Sequence, residues 1–392
     1  MDGRDQVNRS RLKVVSIAHS ACWSGSGRLR YRPLAATGEI DLKLIIPERW
    51  PTYGRERPAD PPSPPLDTHA RRVRFARAPK ANWYLHYYPG LRRIIDELSP
   101  DVLHLWEEPW SAVALQATLL CQRSSSKTAL ILETEQNILR RLPPPFEQIR
   151  RYTLQRTDML VARQEEALEV SRACGYSGRA RIVKYCVDRS CFTPGDRARA
   201  KRDFAVEGFT IGYVGRLVPE KGLTTVLDAL HACRRDVRLL LLGDGPSRDQ
   251  LQEKTAQLGL QDRVRFLPAQ PQEQVAHLMN ALDALVLMSV TTRTWKEQFG
   301  RVIIESQACG TPVIGSSSGA IPSVIADGGW VVQESDATAL AKLLDHLAEH
   351  PEQVAAASER ALHNVKTFSP EAIASNLLSA YREAAASRRS PA

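Results

Sequence analysis

Apolar residues in this chain come as short unbroken runs, alternating with longer stretches in which they recur every three or four positions. Runs at 11–18, 41–46, 101–106 and 128–133 are bounded by polar or turn residues and predict buried strands. Stretches at 91–98, 146–156 and 164–173 predict helices. The alternation restarts at 209–214 and continues with strands at 238–242, 264–268, 284–289 and 313–314, and with helices at 337–349 and from about 369 to 381. Strands alternating with helices require parallel sheets joined by right-handed crossovers. The predicted fold class is therefore α/β, with two Rossmann-like parallel sheets in tandem.

In such a fold the C-terminal ends of strands carry the chemistry. The first strand runs into Gly25-Ser26-Gly27, and Arg30 stands where a dinucleotide fingerprint would have its third glycine, which argues against a nicotinamide site. Glu107 and Glu108 end one strand; Glu133, Glu135 and Asn137 end the next. Each carboxylate could equally cap the following helix. Seven prolines between 47 and 65 predict a long irregular loop, neither helix nor central strand.

In the second half, Gly215 lets the chain turn at a strand end, and Arg216 and Lys221 place two cations beside the next helix start. A diphosphate is suited by a forked guanidinium and a point charge together, although two such cations are ordinarily surface residues. The run 295–312 reads as loop, helix, then strand. Gly300 frees the backbone to turn, no breaker follows until Gly310, and Pro312 bars continuation. Glu297 precedes this helix and Glu305 lies in its first turns, so both can look toward an N-terminus whose unpaired N–H groups favour an anion. Two carboxylates on an ordinary amphipathic segment would give the same pattern.

At 392 residues and 43% hydrophobic, the chain can bury two ordinary cores. No apolar run approaches the roughly 20 residues that span a bilayer. The polar start and the short first apolar segment predict a cytoplasmic protein. Seven cysteines without a C-x-x-C spacing fit buried thiols in a reducing compartment. The net charge of +9 is uneven: residues 1–195 hold 31 Lys+Arg against 21 Asp+Glu, and the remainder is near neutral. That basic half fits either plain solubility or contact with an anionic membrane surface or acceptor. No nucleic-acid-binding module is recognisable, so nucleic acid is not an expected partner.

The run Glu297, Phe299-Gly300, Glu305, Ala308, Gly310, Pro312-Val313 resembles the E-x7-E signature of the family 4 (group 1) retaining glycosyltransferases. Val214-Gly215-Arg216-Leu217 with Lys221-Gly222 resembles that family's diphosphate-binding motif, and Gly243-Asp244-Gly245-Pro246 a further hallmark. The resemblance is dense from about 182 to 381 and loose before that. It implies the GT-B fold, two Rossmann-like domains facing across a cleft: an acceptor-binding domain at 1–194 joined by a final helix at about 371–392, and a nucleotide-sugar-binding domain at 195–370. The linker would be 193–196.

The implied activity is transfer of a sugar, with retention, from a nucleotide-diphosphate sugar to an acceptor that the resemblance does not name. Arg216 and Lys221 would bind the departing diphosphate, Glu297 the sugar hydroxyls and Glu305 the ribose, with Gly215, Phe299 and Gly300 completing the donor site. No Asp-x-Asp occurs, so neither a bridging metal nor a cofactor beyond the donor is implied. Gly25, Gly27, Glu135 and Asn137 are the acceptor-side candidates. The 133–137 stretch departs from the commoner pattern, which has a pocket histidine there; His19 and His104 sit on other strands. The proline-rich loop, with Arg49, Arg55 and Arg57, would be a flap over the acceptor. The rival readings are an epimerase or phosphorylase of the same fold, and a non-catalytic module that binds polyanions or membranes.

Overall fold

The computed structural model describes residues 11–25, 27–52, 55–75, 82–123 and 128–389. The chain divides into two compact units, Met1–Lys184 with Ile373–Ala392, and Tyr185–Ala372. In the first, β1 (Leu12–Ala18), β2 (Ile40–Pro47), β3 (Asp67–Arg71), β4 (Val102–Trp106), β5 (Ala129–Thr134), β6 (Met159–Ala162) and β7 (Arg179–Ile182) form a parallel sheet in the order 3-2-1-4-5-6-7 among the described residues. Strands β4 and β5 are buried at every position, as central strands covered on both faces must be. β3 reads Asp-Thr-His-Ala-Arg and has no apolar run; it survives because an edge strand tolerates polar residues.

The second unit repeats the plan. β8 (Phe209–Val214), β9 (Val237–Leu242), β10 (Val264–Leu267), β11 (Ala284–Leu287), β12 (Val313–Ser316) and β13 (Gly329–Val332) are ordered 10-9-8-11-12-13. Its core is one cluster of Leu, Val and Ile from strands and helices, including Leu239, Leu241, Leu285, Ile303 and Leu344. In each sheet the connections reverse direction beside the first strand, between β1 and β4 and again between β8 and β11. At such a point the loops diverge and leave a crevice at the strands' C-terminal ends.

Two expectations need correction. The proline-rich stretch is not wholly irregular: Arg49–Thr52 pairs antiparallel with Arg55–Pro58. A two-stranded ribbon is all edge, so Pro51 and Pro58 can sit in it without leaving a central ladder short of a donor. The passage between units comes at Lys184, before the expected linker. Val187 and Phe192 belong to the second core, and the Val187 N–H donates to the Phe368 carbonyl at 3.0 Å. Asp196 instead caps the helix Arg197–Asp203, accepting from the Arg199 N–H at 2.9 Å.

Candidate functional site

The crevice of the second unit is built by close backbone approaches that only glycine permits. Beyond β8, Gly215 has φ of 152°, and a Cβ on Gly243 would lie 1.8 Å from the Gly215 carbonyl oxygen. The chain then makes a single 3-10 turn, Pro219–Lys221. It enters the helix Leu223–Ala232 through Gly222, at φ of 63°, where a Cβ would lie 1.9 Å from the Met288 carbonyl. These contacts press the Lys221 turn against the end of β11.

Lys221 Nζ lies 2.5 Å from Glu297 Oε2, and the buried Ser289, just past β11, donates to the same oxygen at 2.8 Å. The ammonium also sits 4.9 Å from the Trp295 ring centroid. The backbone of Glu297 is held from below: its carbonyl accepts the Ala320 N–H at 3.2 Å, and a Cβ on Gly319 would lie 2.0 Å from that carbonyl oxygen. Arg216 is exposed at the end of β8. A cation, a carboxylate and a hydroxyl thus converge where the second sheet opens, with Arg216 at the end of the neighbouring strand β8.

The remaining residues of the expected donor site have different surroundings. Gly300 caps the helix Arg301–Ala308 with φ of 76°. Phe299 is buried between Tyr185 and Phe368, ring centroids 5.2 and 6.0 Å away, so it anchors the loop in the core. Glu305 lies on that helix 3.5 Å from Arg301, and burial raises its pKa against the opposing charge of Arg301. Sequence reasoning overlooked Ser289, Trp295 and Gly319. Only Gly319 had a signal, the Gly-Ala-Ile-Pro turn one strand after the acidic motif.

In the first unit, the β1–β4 crevice holds His19, the residue after β1, and Glu107, the residue after β4. Glu107 accepts the His19 backbone N–H at 3.0 Å and pairs with His19 Nδ1 at 2.7 Å, and His86 Nε2 is 3.4 Å from it. Burial alone would raise Glu107, but the two imidazoles win and hold it down to about 2. The same pairing overcomes burial and raises His19. Next to it, burial pushes Glu108 up to about 7, against hydrogen bonds from Thr134 Oγ1 and the Glu135 N–H.

The acceptor-side candidates divide. Gly27 is structural: a Cβ there would lie 2.0 Å from the Ser20 carbonyl oxygen. Gly25 is partly exposed in the same loop. Asn137 is buried and donates to Glu166 at 3.3 Å. Glu135 stays partly exposed, accepting from Trp106 Nε1 at 3.1 Å, with Arg163 Nη2 at 3.4 Å.

Glu133 lies deeper. It accepts two bonds from Arg30, at 2.8 and 2.7 Å, and one from Arg163, with His104 Nε2 at 3.1 Å. His104 Nδ1 in turn meets Ser16 Oγ at 3.1 Å and the Tyr381 hydroxyl, on the final helix Pro370–Arg389, at 2.9 Å. That buried network is architecture, and it fixes the final helix to the first unit.

Among the described residues no group of three or more His, Cys, Asp or Glu side chains is arranged to hold a metal ion, and no helix is long and apolar enough to cross a membrane.

Residues 195–363 match the family model described as glycosyl transferases group 1. A D-inositol 3-phosphate glycosyltransferase of Mycobacteroides abscessus is 36% identical over 227 residues, which are 54% of this chain and 48% of that protein. The chain spans about half the length of the curated relatives it matches. Among solved structures, a sucrose-phosphate synthase from Thermosynechococcus elongatus superposes with a TM-score of 0.74 at 20% identity, covering 95% of this chain and 98% of the other. HepE of Anabaena, solved in complex with UDP and glucose, superposes with a TM-score of 0.67 at 18% identity over 94% and 99%. The two Rossmann-like sheets are those of the GT-B fold.

Proposed function

We propose that this chain, whose residues 195–363 match the family model described as glycosyl transferases group 1, moves a sugar from a nucleotide-diphosphate sugar to an acceptor with retention of configuration. The observation that carries this reading is the meeting of Lys221 and Glu297 at the crevice of the second sheet, beside Arg216 at the end of β8. That HepE binds UDP and glucose supports a nucleotide-sugar donor.

The reaction's barrier lies in breaking the bond between the sugar and the diphosphate. Fixed cations lower it by stabilising the charge that grows on the leaving group. In the free chain Lys221 and Glu297 neutralise each other. A bound donor would exchange that contact for two: phosphate oxygens take the ammonium, and sugar hydroxyls donate to Glu297, which Ser289 keeps in place. Arg216 adds a forked cation, and N–H groups at the start of the helix after Gly300 add donors. Glu305 is assigned the ribose hydroxyls. With no Asp-x-Asp in the chain, these cations do the work a bridging metal would otherwise do.

The test is release of nucleoside diphosphate from a panel of nucleotide sugars, with and without acceptors, and analysis of the anomeric product. Release that depends on an acceptor supports the reading. Isomerised nucleotide sugar without acceptor would point to an epimerase, and donor binding without any release to a non-catalytic module. Gly319→Ala bears on the same site. Because its Cβ would collide with the Glu297 carbonyl, the carboxylate must shift, and a misplacement of about 1 Å is expected to cost on the order of 10²-fold in kcat. Wild-type kcat in that variant would show that Glu297's position is immaterial.

Peripheral membrane contact through the first unit is a further part of the proposal. Beyond its excess of Lys and Arg, the unit exposes Phe75, Trp83, Leu85 and Leu139. Flotation with vesicles rich in anionic lipid, and not with neutral ones, is the expected result; equal recovery from both would remove the electrostatic argument.

A further inference from the structure

Arg216 carries its guanidinium on a long, exposed stem, so the aim of that charge depends on how firmly the backbone beneath it is held. The peptide that follows Arg216 is gripped at both ends. Its N–H, on Leu217, donates to the Asp244 carbonyl at 2.9 Å, and its carbonyl, on Arg216, accepts the Tyr213 hydroxyl at 2.6 Å. The same carbonyl takes the Val218 N–H at 3.1 Å, which closes the turn, and the Gly215 N–H donates to the Leu242 carbonyl at 3.0 Å. Of these anchors, the tyrosine's is the one made by a side chain.

Tyr213 lies one residue before the end of β8, a central strand with β9 on one side and β11 on the other, and its side chain belongs to the second core. A hydroxyl buried there needs an acceptor. The chain supplies one by turning back over the ring: a Cβ on Gly215 would lie 2.9 Å from the hydroxyl, so glycine is what lets the turn settle onto it. Burial pushes the phenol up, the charge of Glu297 adds to the rise and that of Arg216 opposes it, so the hydroxyl stands within reach of both the cation motif and the acidic motif. We propose that Tyr213 is a positioning residue of the donor site, whose hydroxyl pins the Arg216 carbonyl and thereby aims the guanidinium at the departing diphosphate.

This inference rests on the reading of Arg216 as a cation for the diphosphate. Phenylalanine fills the same space without the hydroxyl, and the Val218 N–H still satisfies the carbonyl, so Tyr213→Phe should melt within about 4 °C of the wild type. The guanidinium acts on charge that develops in the transition state. The loss should therefore fall on kcat, by about tenfold, with the KM for the nucleotide sugar changed by less than about twofold. Added to Arg216→Ala, Tyr213→Phe should lower kcat no further, because its effect passes through the missing guanidinium; a general structural role would carry the same loss into that background. Amide hydrogen exchange on the ligand-free full chain reads the anchor without turnover. With the carbonyl end of the peptide released, the Leu217 N–H should exchange about tenfold faster in Tyr213→Phe.

Wild-type kcat in Tyr213→Phe while Arg216→Ala is impaired, an undiminished further loss on top of Arg216→Ala, or unchanged exchange of the Leu217 N–H would each overturn the inference and leave the donor-site reading standing. Wild-type turnover in Arg216→Ala would instead remove that reading, and the aim assigned to Tyr213 with it.

Discussion

Lys221→Ala and Arg216→Ala are each expected to lower kcat by roughly 10²–10³-fold, the usual cost of removing one donor aimed at developing charge. The structure separates their effects on stability. Arg216 is exposed, and its removal should leave the melting temperature unchanged. Lys221 is the counter-charge of Glu297, whose side chain is only 9% exposed, so Lys221→Ala removes the cation from a nearly buried carboxylate that also accepts from Ser289. The melting temperature should fall in Lys221→Ala and recover in the double variant with Glu297→Gln, while kcat stays low in both. Turnover unaffected by either single substitution would end the assignment of these cations to the diphosphate.

The second large effect concerns Glu133. It is the carboxylate between Arg30 and Arg163, all three buried, and Glu133→Ala leaves two guanidinium groups in the interior facing each other without it. Breaking a buried pair by removing one partner costs about 3–5 kcal/mol, far more than the pair contributes over a well-packed apolar replacement. Urea denaturation followed by circular dichroism should show the loss in the transition of the first unit. An unchanged midpoint would mean that Glu135 or water replaces the missing charge.

The pH dependence follows the same pairing. Burial alone would raise Glu133, but Arg163 and Arg30 hold it well below its ordinary value of 4.5. Its contribution is therefore complete above the unfolded value and is lost as pH falls through and below it. Wild-type stability should drop on acidification more steeply than that of Glu133→Gln.

These two glutamates mark the limit of what sequence motifs can tell. Glu297 and Glu133 both stand near the C-terminal end of a strand, next to polar residues, and nothing local separates a ligand-facing carboxylate from one that ties a core together. The resemblance singled out Glu297; only the neighbours of Glu133, drawn from 30, 104 and 163, reveal its structural task. Phe299 makes the same point inside the motif, since it anchors the loop against Tyr185 and Phe368.

By itself the sequence determined the central strands, the helix opened by Gly300 and closed by Gly310, and the cation motif at the end of β8. These are local matters of apolar runs and backbone freedom. It could not reveal β3 or the ribbon at 49–58, whose polar and proline-rich residues are acceptable only because edges leave one side of the backbone unpaired. Nor could it bring His19 to Glu107, or Lys221 to Glu297, because those meetings depend on strand order. Once the first and fourth strands of each sheet lie side by side, residues far apart in the chain share one crevice, and that adjacency is a property of the folded sheets alone.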